Sequence, residues 1–149
     1  MFDYQYRRLG SFTYHVLENP SEIAELFARW ILPEMQTDHS EDPSQQWTVE
    51  WLEQAPHLTY TLQAIPLSVI RPRADLMAFE TEQYSFRRSL ERRADEREQA
   101  FLRGVSAEPL WVKREGWELM DGYTRFTVFT RHRQELVYAY VGEVEGARA

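Results

Sequence analysis

The stretch Trp117 to Arg125, WELMDGYTR, sets an acid, a glycine and an arginine where a strand should end and a helix begin. Glycine at 122 permits a tight turn. A helix that starts directly after it aims unpaired backbone N–H groups and the positive end of its dipole at one point. Arg125, in the first helical turn, adds a forked cation that matches phosphate or carboxylate. Thr124 supplies a hydroxyl donor, Tyr123 lies in the same turn, and Asp121 is a candidate magnesium ligand or base. Together these residues are a recipe for a phosphate site. They also fit a plain helix start, with Asp121 as N-cap, Gly122 as turn residue and Arg125 as a solvated charge.

Other chemistry-bearing residues are scattered. His15, His39, His57 and His132 are far apart, none at metal-ligand spacing, and read as surface or packed histidines, so no protein metal site is expected. Asp38, Glu41 and Asp42 read as a solvated acidic loop rather than a cation site. Arg87, Arg88, Arg92, Arg93 and Arg97 alternate with Glu91, Asp95, Glu96 and Glu98, which predicts an exposed, ion-paired helix face. No His/Asp cluster supports nuclease chemistry.

The elements that must position these residues belong to a chain of 149 residues, 43% apolar and 28% charged, without cysteine. That length suits one domain burying roughly 68–70% of its unfolded surface. Disulfides, thiolate zinc sites and cysteine nucleophiles are excluded. No apolar run approaches the roughly 18–20 residues of a membrane span, and MFDYQYRR lacks a signal-peptide core, so a cytoplasmic protein with no membrane partner is expected. Residues 1–70 hold 3 Arg against 10 acids, whereas residues 71–149 hold 14 basic and 14 acidic residues, so the net charge of −7 sits in the first part. Such a balance argues against nucleic acid as a partner.

Alternation of Phe2, Tyr4, Tyr6 and Phe12, Tyr14, Val16 around Gly10-Ser11 predicts a hairpin with one aromatic face. A helix follows over Glu22 to Met35, then a polar loop over Thr37 to Ser44, and a short helix carrying Trp47 and Trp51 that ends before Pro56. Strand is expected from Thr59 to Ile70, a charged helix from Tyr84 to Arg103 ended by Gly104, and a hairpin over Trp111 to Met120. A helix from Tyr123 to Arg133 and a buried strand from Leu136 to Val141 close the chain. The five tryptophans of the sequence read as core and covering side chains.

In order and spacing, Ile65-Pro66-Leu67-Ser68-Val69-Ile70-Arg71-Pro72, the charged helix, Pro109-Leu110-Trp111-Val112-Lys113, the hairpin, Gly122-Tyr123-Thr124-Arg125-Phe126 and the closing strand resemble the ParB/sulfiredoxin-like superfamily. The likeness runs from about Leu58 to Val144. It implies an α+β fold, a small mixed sheet with packed helices, in residues 58–149, with residues 1–57 as an acidic hairpin-and-helix extension. It further implies nucleotide phosphates held by Gly122 and Arg125, with Arg71 as a second phosphate contact and ATP or CTP, with Mg²⁺, as ligands.

The departures are equally informative. Tyr123 stands where sulfiredoxin has its attacking cysteine, so sulfinic acid reduction by that route is ruled out, and Thr124 replaces the histidine of that turn. The nucleotide-contacting lysine of the family helix is missing, with Arg87, Arg88, Arg92 or Arg93 as substitutes. ParB proteins are similar in a Gly-Glu-Arg-Arg turn that binds CTP, yet about two dozen residues after Arg125 leave no room for their DNA-binding domain. Free-serine kinases of this fold carry Asp-Gly-His-His-Arg, which Asp121 to Arg125 resembles at three of five positions. The expected function is nucleotide or phosphate binding. Two alternatives stand beside it: a small-molecule kinase or nucleotide hydrolase using Asp121, and a regulatory module with a degenerate site. A homodimer or protein partner would engage the N-terminal segment.

Overall fold

The structure, a computed structural model, describes residues 2–41 and 49–144, without the side chains of 37–41 and 49–51. Two strands, β1 (Gln5–Leu9) and β2 (Phe12–Val16), form the N-terminal hairpin. Its aromatic face divides differently from the sequence expectation: β2 buries Phe12, Tyr14 and Val16, whereas Tyr6 on β1 is exposed. β2 lies inward because its backbone also pairs with the loop at Ala107, the His15 N–H donating to the Ala107 carbonyl at 3.0 Å.

Helix α1 (Pro20–Leu26) starts at Asn19, whose side chain accepts the Ser21 N–H at 2.8 Å, with Pro20 in the first turn. It runs through a π-helical turn at Phe27–Ile31 into α2 (Leu32–Glu41). Pro33 accounts for the π turn. Proline brings no N–H, and its ring clashes with the carbonyl four residues back, so the Leu32 N–H bonds to the Phe27 carbonyl instead. The loop expected from Thr37 is helical through Glu41, since no glycine or proline interrupts 37–41. Asp42 and Trp47 lie outside the described residues. Helix α3 (Val49–Gln54) passes into a 3₁₀ turn that includes Pro56.

The main sheet has the order β3–β6–β4–β5, with β3 (Thr59–Pro66), β4 (Leu110–Lys113), β5 (Glu118–Asp121) and β6 (Leu136–Glu143). β3 stops at Pro66, short of the expected Ile70, and residues Leu67–Val69 form a 3₁₀ turn. β6 runs antiparallel to β3 and parallel to β4, while β4 and β5 are antiparallel. Both faces of this mixed sheet are covered. Val137, Ala139, Val141, Leu110 and Val112 point to a core shared with β2, α5 (Phe86–Leu102) and α6 (Tyr123–Arg131). Tyr60, Trp111, Met120 and Tyr140 point to a second core under Ile23, Phe27 and Ile31. A short helix, α4 (Ala74–Met77), leads from β3 towards α5. The chain is thus α+β with helices on both sheet faces. Among the described residues no helix is long and apolar enough to cross a membrane.

Candidate functional site

Strand β5 ends at Asp121, and Gly122 turns the chain at φ 100° directly into α6, with no side chain capping the helix start. A β-carbon at 122 would lie 2.8 Å from Arg125 Nη2 and 2.8 Å from Leu110 Cδ2, so glycine answers both the left-handed backbone and the close approach. Beneath the turn, Arg125 is only 8% exposed. Its Nη2 donates to the Pro109 carbonyl at 3.2 Å, while its buried Nε has no hydrogen-bond partner. An unpaired guanidinium nitrogen out of water is costly and marks a place where an acceptor is missing.

The turn opens into a cavity of about 500 Å³, walled by α5, the start of α6 and, opposite, Ile31 and Glu34. Arg93 and Arg97 reach it from α5, and Arg93 Nη1 donates to Thr124 Oγ1 at 3.4 Å with its guanidinium 5.8 Å from the Phe86 ring centroid. Ser89 lies one helical turn before Arg93 on the same wall. Three carboxylates, Glu34, Glu108 and Asp121, balance these charges. Burial pushes the Asp121 carboxyl above its ordinary range, and repulsion from Glu108 adds to that, while Arg125 and the Gly122 N–H oppose it. Glu108 is held below the usual carboxylate range, first by His15, with Arg125 and Arg97 assisting and desolvation opposing. The His15 ring joins Glu108 at 3.5 Å and Ser106 at 2.8 Å.

Asp121, Gly122, Tyr123, Thr124 and Arg125 therefore line one cavity. The Tyr123 hydroxyl is already engaged, donating to the Leu119 carbonyl at 3.1 Å and accepting the Arg73 N–H at 3.0 Å, so it holds the turn in place. Arg71 is elsewhere. Its backbone pairs with Trp117 and Leu119 at the opposite end of β5, and its side chain does not line the cavity. Of the arginines offered as substitutes for the family lysine, Arg93 takes the place beside the turn. The ion-paired face expected of α5 is also revised: Asp95 and Glu98 pair across to Arg131 and His132 of α6. Sequence reasoning misses Glu108 and Glu34 and reads Arg97 only as part of an ion-paired face; the Ser89, Arg93, Arg97 spacing of four signals part of this wall. Among the described residues, no three His, Asp or Glu side chains gather as a metal site.

No family model matches the sequence, and no curated protein does. Solved structures are similar over part of the fold. A Pnob8-like ParB-N domain in its C2221 form matches with a TM-score of 0.42 and 19% identity, covering 57% of this chain and 30% of that one. A pNOB8-like ParB N-domain matches with a TM-score of 0.41 and 18% identity, covering 62% of this chain and 31% of that one. The likeness is one of fold, and it spans about a third of those longer chains.

Proposed function

We propose that the chain binds the phosphate groups of a nucleotide or another phosphorylated small molecule in the cavity at the Gly122 turn. The observation that carries this reading is the buried, unpartnered Nε of Arg125 beside an uncapped helix start. Free N–H groups, a helix dipole and three arginines then face one anion, with the Thr124 hydroxyl alongside. A cavity of this volume falls within the range of ordinary ligand sites, roughly 300–1,000 Å³. ATP and CTP are the nucleotides to try first. Mg²⁺ would arrive on the ligand's phosphates, with Asp121 as its nearest carboxylate from the turn.

Thermal unfolding with ATP, CTP or ADP, with and without Mg²⁺, tests the proposal. Ligand should raise the Tm of wild type and not that of Arg93→Ala, a surface change that leaves the core intact. Absence of a shift with every nucleotide would instead favour a regulatory module in which the turn is structural. An enzymatic reading rests on Asp121, which lines the same cavity as Arg125 and would serve as the base for a hydroxyl nucleophile. A small-molecule kinase or nucleotide hydrolase would then release or transfer phosphate from labelled nucleotide in an Asp121-dependent way. Binding of nucleotide without turnover would leave the protein a binder.

A further inference from the structure

The cavity at the Gly122 turn has a neighbour. A second cavity of about 250 Å³ lies between the Glu80–Tyr84 loop and the first turns of α5, with Arg88 and Arg92 on its helix wall. Tyr84 and Ser89 line both cavities, so the two adjoin around the helix. At 3.6 residues per turn, α5 divides into three sectors. Phe86, Leu90, Ala94 and Phe101 face the core. Asp95 and Glu98 turn to α6. The remaining sector carries Ser89 and the arginines at 88, 92, 93 and 97, with Glu96 as the one acid among them.

Among the described residues Arg88 and Arg92 have no ion pair. Like charges four residues apart repel, and the helix's own acids, which would relieve them, are partly committed to α6. The acids of the second cavity, Glu80 and Glu82, belong to its loop wall, which leaves the helix wall for an anion. Arg88 and Arg97 stand about 13 Å apart along the helix axis, from a rise of 1.5 Å per residue. A lone phosphate cannot touch both ends of that track.

We infer, on the phosphate reading above, that the ligand is a linear chain of linked phosphates running from the Gly122 turn along α5 into the second cavity, either free or as the tail of a nucleotide. Calorimetric titration of the full chain at fixed ionic strength with orthophosphate, pyrophosphate, tripolyphosphate, ATP and oligothymidylate tests this. Affinity should climb from orthophosphate to tripolyphosphate. Charge alone contributes to that climb, so the deciding readout is Arg88→Ala/Arg92→Ala, both exposed positions whose loss should leave Tm unchanged. The double variant should weaken tripolyphosphate about tenfold, the scale of one charge-assisted contact, and orthophosphate less than about twofold. ATP tighter than tripolyphosphate assigns the chain to a nucleotide tail, and equal affinity assigns it to free polyphosphate; both uphold the inference. Wild-type affinity for tripolyphosphate in the double variant overturns it while leaving the phosphate reading in place. Oligothymidylate as the tightest ligand overturns it in favour of a nucleic-acid track, and no binding of any anion removes the phosphate reading itself.

Discussion

Gly122 and Arg125 constrain each other. The guanidinium lies where a side chain at 122 would go, so any larger residue must both adopt the left-handed backbone and displace the cation. The backbone conformation alone costs roughly 1–2 kcal/mol for a residue other than glycine. Gly122→Ala should therefore lower unfolding stability by about 2 kcal/mol or more in urea titration, and a neutral result would contradict this packing. Asp121 makes a different prediction. Its carboxyl is raised above the ordinary value of 3.8 in the fold, so it contributes stability below its unfolded pKa and loses that contribution as pH rises through its folded pKa. Asp121→Asn should gain on wild type progressively as pH rises above the ordinary value of 3.8. Urea unfolding at several pH values measures the difference, and a pH-independent one would show that the carboxyl is not raised. The acid–glycine–arginine turn was readable from residue types because a positive-φ turn before a helix has a local signature. That Arg125 turns under the strand to Pro109, and that Tyr123 is tied to Arg73, had no local signature: both depend on chain 16 and 50 residues away.

Helix α5 carries much of the site, and its start is well defined: Ser85 is the N-cap, with its Oγ accepting the Arg88 N–H at 3.3 Å. Ser85→Ala should cost about 1 kcal/mol in chemical denaturation, as other lost caps do. Its existence and its ends could be anticipated from Phe86, Leu90, Ala94 and Gly104. The pairing of its charges could not. Local spacing favours Asp95 and Glu98 with arginines one turn away, yet Arg131 and His132 at the end of α6 take them, at 2.8 and 2.6 Å. The segment after α1 shows the converse. Polarity suggested a loop at Thr37, but the absence of a breaker decided for helix, and Pro33 upstream altered only the hydrogen-bond pattern. From this segment Ile31 and Glu34 meet the cavity.

Among the described residues, six strands and the long helices could be expected from periodicity, while the order β3–β6–β4–β5 could not. Alternation says which residues are buried and not which strand lies alongside which. β6 reads as a buried apolar run because it is the inner strand between β3 and β4, covered on both faces. The hairpin is part of the same core: Phe12 packs on Phe101 and Phe129, and Tyr14 on Tyr138. A chain lacking residues 1–18 should accordingly lose its cooperative thermal transition; retention of wild-type near-UV circular dichroism would show instead that the hairpin is dispensable. The same arrangement bears on synthesis. The Ser11 N–H waits for the Gln134 side chain and the Leu17 N–H for the Tyr140 hydroxyl, each 123 residues on. On the ribosome the first strands emerge with Phe12, Tyr14 and Val16 unmatched, and at about 5–20 residues per second they stay so for several seconds. Closure of the core is thus postponed until β6 has been made, and the hairpin, made before the elements it packs against, is among the last parts to find its place.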